Sequence, residues 1–374
     1  MNQKFLDYHL FTLLNHPLFN KKPLDVFLSE YFRRNKNIGS KERRFISETI
    51  YHLVRWQLFF DFFNADKSWE SRYRTSISKS PLEYVQASHI PEYIRLSMPE
   101  HLFHMIVAEY GIKQARDISL ICNQRAPLTI RANLLKTDRE NLFQKWKKDY
   151  KVQKTPLSPL GIVFPERINF FGLPEFKQGL FEIQDEGSQL LSLLVKAEPK
   201  QHILDYCAGS GGKTLAFAPY MENKGIIYLH DIRNLALEES KKRLKRAGIQ
   251  NAQQLYYEDS KKNKLVNTMD WVLVDAPCSG TGTLRRNPDM KWKISNQDIK
   301  NLVDTQRIIF ADALSFCKKG SKIIYSTCSI LSQENEEQAL FFTKKHNLEV
   351  LEELKLLPTE NGHDGFYAAV FVRK

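Results

Sequence analysis

Two of the five cysteines stand where a thiol can do chemistry. Cys278 follows Asp275-Ala276-Pro277 at the end of an apolar run over residues 271–274, and Cys328 follows Thr327 after a second run over 322–325. A lone cysteine is most often a small buried hydrophobe. In an open α/β sheet, however, ligands bind beyond the carboxyl ends of the strands, so thiols at two adjacent strand ends form a candidate catalytic pair. Cys122, Cys207 and Cys317 lack that placement and read as structural rather than nucleophilic.

A binding loop is expected in HILDYCAGSGGKT, residues 202–214. A short apolar strand, a turn rich in glycine and the start of a helix make the opening βα unit of a doubly wound sheet. Glycine permits positive φ and close approach of a ligand to backbone, and a helix start favours an anion. Two ligands are compatible. Gly212-Lys213-Thr214 ends like a triphosphate-binding loop, but that motif needs glycine where Cys207 stands. The alternative is a nucleoside cofactor whose ribose is held by an acidic residue about 20 positions on. Asp231 closes the next apolar run, 226–229, and favours this second ligand, S-adenosylmethionine being the candidate.

A thiol beside a methyl donor suits alkylation of a poor carbon nucleophile. Thiolate addition at carbon 6 of a pyrimidine turns carbon 5 into an enamine-like nucleophile. Asp275 is the candidate acid near ring nitrogen 3, if protonated or acting through water. A free thiol of pKa ~8.5 is only a few per cent ionised near neutral pH, so the site must supply positive potential, and Lys213 and the cofactor's sulfonium are the nearest candidates.

The rest of the chain must position these groups. Residues 1–124 read as a helical domain. Ile46, Ile50, Leu53, Val54 and Leu58 predict a helix over 41–63 with Ser40 as its cap. Arg33, Arg34, Lys36, Lys41, Arg43 and Arg44 crowd its approach, as a solvated face or as a contact to phosphates. Residues 66–91 read as a loop, and a helix over 100–110 should stop at Gly111 before another runs to 123. Residues 125–180 read as a small α+β unit, with strands at 128–133 and 161–164, a helix capped by Asp138, and a further strand-like piece at 181–183. Residues 181–374 read as a Rossmann-like α/β domain with strands at 203–206, 226–229, 255–257, 271–274 and 322–325. Two last strands, 348–351 and 366–372, have no helix between them and suit an antiparallel pair.

An apolar content of 42% and a charged content of 26% are ordinary for a globular chain, but a net charge of +12 is not. It favours a polyanionic partner, nucleic acid first. No apolar run approaches the ~18 residues of a membrane span, and the N-terminus reads as no signal peptide. An odd number of cysteines without CxxC pairing argues against a disulfide framework or a zinc site, which suits a reducing cytoplasm. No metal and no obligate protein partner are expected.

Taken together, DYCAGSGGKT, DWVLVDAPCSGTGTLRRNPDMKW, YSTCSILSQENEEQ and DGFYAAVF resemble the Sun/RsmB-type RNA (cytosine-5) methyltransferases. The resemblance runs from about residue 181 to the C-terminus, is weaker over RAPLTIRANLLKTD, and is faint at KERRFISETIYHLVRW. It implies a Rossmann-like S-adenosylmethionine-dependent domain behind a helical, NusB-like RNA-binding domain. It also implies that Cys328 is the nucleophile and that Cys278 assists product release. Cofactor contacts would come from Cys207, Ala208, Gly209, Ser210, Gly211, Gly212, Lys213, Asp231, Asp259 and Asp275. The turn departs from the family's usual Ala-Ala-Pro-Gly-Gly-Lys in having Ser210 where proline is common, which loosens the loop. Arg285, Arg286, Lys291 and Lys293 follow the Cys278 loop closely enough to be expected to grip phosphates beside a target base. The expected substrate is cytosine in RNA, ribosomal RNA ahead of transfer RNA. A non-catalytic RNA-binding assembly factor and a P-loop NTPase remain as rival readings.

Overall fold

The computed structural model describes residues 2–256 and 259–373. The chain divides into two compact units: Met1–Arg125 with Thr283–Asn296, and Ala126–Gly282 with Gln297–Lys374.

The first unit is helical. Ile46, Ile50, Leu53 and Val54 line the buried face of the helix Ser40–Arg55, against Leu10, Leu13, Phe27 and Phe59 from neighbouring helices. Gly39, not Ser40, is its cap, and the expected single helix breaks at Trp56 before Gln57–Phe62. The expected loop at 66–91 contains a helix, Trp69–Ser78, whose cap is the Ser68 hydroxyl. Its inward face is polar: Ser71, Arg72 and Thr75 are buried. Arg72 donates to both carboxylate oxygens of Asp61, at 2.6 and 2.9 Å, and lies 4.3 Å from the Trp69 ring centroid. A face buried through an ion pair leaves no apolar period to read. Gly111, at φ 73, interrupts Glu100–Asn123 where a stop was expected.

The second unit holds two sheets. The smaller has the order β2-β3-β1-β4, with β1 Leu128–Ala132, β2 Gln153–Lys154, β3 Gly161–Phe164 and β4 Phe181–Ile183. Asp138 caps the helix Arg139–Trp146 by accepting from the Asn141 amide at 2.7 Å. Leu142 and Trp146 from that helix pack on Ile130, Ile162, Phe164 and Phe181. Because β4 pairs with β1, this sheet extends past residue 180, where the sequence placed its end.

The larger sheet comprises β5 His202–Asp205, β6 Ile226–His230, β7 Ala252–Leu255, β8 Met269–Asp275, β9 Cys317–Thr327, β10 Leu348–Leu356 and β11 Phe366–Arg373. Its order is β10-β11-β9-β8-β5-β6-β7. β5 to β9 are mutually parallel, whereas β11 runs antiparallel to both β9 and β10. Successive residues bury on opposite faces: Ile203 and Leu273 on one, Leu204, Val272 and Val274 on the other. Each such side chain contributes about 1.5–3 kcal/mol, and a strand covered on both sides has to be apolar throughout. The third expected strand, 255–257, meets β7 only at Leu255: the observed strand lies earlier, Tyr256 is outside it, and Tyr257 lies outside the described residues. β5 sits between β6 and β8, so the chain order reverses there, and the crevice beyond its carboxyl end is where such sheets bind ligands.

Candidate active site

The glycine loop leaves β5 and folds back on the end of β6. Gly209 and Gly211 have φ of 53° and 77°, the left-handed region that glycine tolerates. Three loop amides are used internally: Ala208 donates to His230 O, Gly211 to Ala208 O, and Gly209 to Asp231 Oδ2, each at 2.8 Å. They are therefore not free to cradle phosphates. The helix that follows, Thr214–Phe217, is only four residues long and adds little of the dipole expected of a helix start. Lys213 is ion-paired with Asp275 instead of reaching out as a P-loop lysine would.

A nucleoside cofactor fits this edge better. A Cβ on Gly212 would meet nothing within 4 Å, so its backbone faces open space. Asp205 ends β5 fully buried; its Oδ2 accepts from the Thr214 hydroxyl at 2.7 Å and its Oδ1 has no partner among the described residues. Burial pushes its carboxyl up to about 7, with the Asp275 charge adding to the effect and the Thr214 bond opposing it. Asp231 ends β6 and accepts from Gly209, from the Arg233 amide at 2.8 Å and from Arg233 Nε at 3.0 Å. Burial alone would raise its carboxyl, but these bonds outweigh it and hold the group below the usual carboxylate range. Asp259 lies half-buried in the turn after β7, its carbonyl accepting from the Lys262 amide at 3.1 Å. Burial raises the Cys207 thiol far above its ordinary value, which leaves it inert.

The two strand-end thiols meet. Sγ of Cys278 and Sγ of Cys328 are 3.3 Å apart, and the Cys328 amide donates to Cys278 Sγ at 3.3 Å. The register of β8 on β9 pairs Asp275 with Ser326, which brings both loops to one level. The bond to Cys328, burial, and the charges of Cys328 and Glu334 raise the Cys278 thiol well above its ordinary value. Cys278 therefore holds its proton while facing Cys328. Desolvation would lower the Lys213 ammonium, but Asp275, Asp205 and Cys328 together raise it. Lys213 and the Cys328 sulfur are thus close enough to interact electrostatically. Asp275 accepts from Lys213 and, at 3.3 Å, from the Ser326 hydroxyl.

A buried polar network staples the two cysteine loops together, and the sequence reading assigned it no role. Ser279, Thr281, Ser329 and Glu334 are fully buried. The Ser279 amide donates to Glu334 Oε1 at 2.9 Å, its hydroxyl donates to Glu334 Oε2, and Gln306 Nε2 donates to Oε1 at 3.1 Å. Thr281 and Ser329 hydroxyls lie 3.0 Å apart, and the Ile330 amide donates to Thr281 at 3.0 Å. Gly282 and Gly365 cross so closely that a Cβ on Gly282 would lie 2.3 Å from Gly365 O. The signal was the density of Ser, Thr and Glu in PCSGTG and STCSILSQENE, since so many hydroxyls in buried loops need one another.

The expected phosphate-binding residues are corrected by their burial. Arg285 and Lys291 are each 1% exposed. Lys291 Nζ donates to Arg55 O at 2.8 Å, Ser97 O at 2.6 Å and Asn123 Oδ1 at 2.7 Å. Lys293 donates to Lys22 O at 2.8 Å and to Asp289 Oδ2 at 2.6 Å, and Arg286 is half-buried. Residues 283–296 belong to the helical unit, and there Lys291 and Lys293 are engaged by partners within it instead of lying free for a phosphate. Among the described residues of the 33–44 stretch, Arg33, Arg34, Lys36, Lys41 and Arg44 are exposed.

Comparison with known proteins places this arrangement. The sequence model of the 16S rRNA methyltransferase RsmB/F family matches residues 192–372, and that of the ferredoxin-like domain of RsmF/B-like methyltransferases matches residues 98–170. A ribosomal RNA small subunit methyltransferase B of Proteus mirabilis is 32% identical over 261 residues, 67% of this chain and 60% of its own length. That of Sodalis glossinidius is 31% identical over 295 residues, 75% of this chain and 67% of its own. The human 28S rRNA (cytosine(4447)-C(5))-methyltransferase is 31% identical over 253 residues, 64% of this chain and 30% of its own. The chain thus spans less than two thirds of the Proteus relative and less than a third of the human one. The crystal structure of PH0851 shares the fold over 100% of this chain and 99% of its own, with a TM-score of 0.82 at 21% identity. No helix among the described residues is long and apolar enough to cross a membrane. With the paired thiols, the glycine loop and the strand order all in place, the chain belongs to the RsmB/F family of methyltransferases.

Proposed function

We propose that this chain methylates carbon 5 of a cytosine in RNA, ribosomal RNA ahead of transfer RNA, through a covalent bond to Cys328. The observation that carries the reading is the Cys278–Cys328 contact at 3.3 Å beside the Lys213–Asp275 ion pair. S-adenosylmethionine, held by the glycine loop and Asp231, would supply the electrophilic methyl. The Cys328 thiolate adds to carbon 6, and the ring electrons move toward carbon 5 as nitrogen 3 takes a proton. Asp275 is an acceptor in its ion pair, so the donor beside the ring is the Lys213 ammonium rather than the acid expected from sequence. Carbon 5 takes the methyl group, and S-adenosylhomocysteine leaves with the sulfonium electron pair.

Addition to carbon 6 consumes the charge on Cys328, the neighbour that most strongly holds the Cys278 proton. Cys278 can then ionise to water and remove the carbon 5 proton. The released electrons restore the carbon 5–carbon 6 double bond and expel the Cys328 thiolate, and nitrogen 3 returns its proton to Lys213. The target base must leave any helix it is stacked in, which favours a loop or bulge. Phosphate contacts fall to the exposed Arg33, Arg34, Lys36, Lys41 and Arg44, in keeping with the net charge of +12. Five free thiols suit a reducing cytoplasm.

The test is a transfer assay with methyl-labelled S-adenosylmethionine on RNA whose target is mapped by bisulfite sequencing. Cys328→Ala should abolish transfer. Cys278→Ala should trap the protein on RNA as a slow band on a denaturing gel, and the double variant should show none. Both single variants active without an adduct would remove covalent catalysis. Wild-type protein that binds RNA but leaves cytosine unmodified would instead favour an assembly factor.

A further inference from the structure

We infer that the small antiparallel sheet sets the affinity of the methyl-donor loop through a charged clamp, in which Glu182 and Arg243 hold Ser210 while Arg131 and Gln184 hold Gly212. The inference rests on the reading of residues 207–213 as the S-adenosylmethionine loop. Arg243 Nη1 donates to Ser210 Oγ at 2.7 Å and to Ser210 O at 3.1 Å. Its Nη2 donates to Glu182 Oε2 at 2.9 Å, and Arg246 donates to Glu182 Oε1 at 2.5 Å. Glu182 lies on β4, directly opposite Arg131 on β1. Arg131 Nη1 reaches Gly212 O at 3.3 Å, and Gln184 Nε2 reaches the same carbonyl at 3.4 Å. Arg131 is 2% exposed and Glu182 is 4% exposed.

The sheet also grips the helix Asn234–Ala247, which begins just beyond Asp231. Asn133 donates to Ala247 O at 2.8 Å, and Lys136 donates to Arg246 O at 2.7 Å. Both sides of the proposed cofactor edge are thereby registered on one rigid support. The loop requires this. It contains two residues at positive φ, three glycines and no proline, so on its own it would sample many conformations. A hydroxyl at 210 gives the guanidinium a second acceptor besides the carbonyl, and Glu182 fixes the guanidinium plane by charge-assisted bonds. Preorganisation of this kind improves binding by reducing the ordering that the ligand must impose. These are positioning residues: they touch the loop, not the reacting atoms.

The test measures S-adenosylmethionine binding by calorimetry and the KM and kcat for it on RNA, with thermal melting as a control. Arg243→Ala should raise Kd and KM about tenfold, equivalent to about 1.4 kcal/mol, with kcat at saturating cofactor nearly unchanged. Arg243→Lys keeps the charge for Glu182 but loses the two-pronged hold, and should fall between. Ser210→Ala removes one hydroxyl without disturbing the buried pair and should raise Kd a fewfold, so it decides the matter if Arg243→Ala does not fold. Unchanged Kd in Ser210→Ala and Arg243→Ala, or a lowered melting temperature with unchanged Kd, overturns the clamp. Wild-type protein that binds no S-adenosylmethionine overturns the function reading and the clamp with it.

Discussion

Replacing Lys291 by Met should change the stability of the helical unit and leave RNA affinity alone. The ammonium is fully buried, donates to Arg55 O, Ser97 O and Asn123 Oδ1, and lies 4.8 Å from the Trp292 ring centroid. Burial lowers it to about 7, Arg55 contributing in the same direction. In the unfolded chain the same lysine keeps its proton to about pH 10.4. Between those values the unfolded state binds the extra proton, so this group makes stability rise with pH. The slope is about 1.36 kcal/mol per pH unit, on the order of 2–3 kcal/mol between pH 7 and pH 9.

Met cannot donate to any of the three acceptors, two of which the neutral amine still serves at pH 9, and leaving buried carbonyls unpaired costs about 1–3 kcal/mol each before relaxation. The variant should therefore melt lower than wild type at pH 9, and its melting temperature should lack the wild-type rise between pH 7 and pH 9. Comparing the two proteins across pH cancels every other titrating group. RNA affinity at fixed salt should agree within about twofold, because the side chain cannot meet a phosphate. A variant with wild-type melting behaviour but much weaker, less salt-sensitive RNA binding would refute the argument and restore the phosphate role.

Asp231→Ala should weaken S-adenosylmethionine binding by on the order of 1–3 kcal/mol in calorimetry; unchanged affinity would remove the ribose assignment. Glu334→Ala leaves the Ser279 amide and hydroxyl and the Gln306 amide without their buried acceptor. It should cost about 1–3 kcal/mol for each donor left unpaired, read in denaturant unfolding, and a total loss below about 1 kcal/mol would show that the two cysteine loops do not depend on it. Asp205, raised to about 7 by burial, contributes stability that is complete below its unfolded value and is lost as pH rises through 7. Asp205→Asn should therefore melt higher than wild type at pH 8 and show a flatter profile between pH 4 and pH 7; a parallel profile would count against the shift.

What the sequence determined by itself is local or periodic. Strands of the parallel sheet are apolar runs because both their faces are covered, and residues 203–204 and 271–274 could not be solvated on either side. Gly111 marks a boundary through its own backbone preference and Asp138 through its own side-chain cap, so both were legible without distant neighbours. Placing Cys278 and Cys328 at strand ends needed only the rule that sheets work at their carboxyl edge. Tertiary structure alone decided what a polar side chain faces. Arg285 and Lys291 have the same composition as a phosphate grip, yet one buried ammonium with three carbonyl-type acceptors is an anchor. The helix Trp69–Ser78 stayed hidden because Arg72 and Asp61 bury each other, and hydrophobic periodicity is blind to that. Nothing in a one-dimensional string brings Glu182 to Arg243, or Glu334 to Ser279. Such pairs arise only when sheet register and chain crossings bring distant residues within hydrogen-bond range, since a charge buried without its partner would cost several kcal/mol.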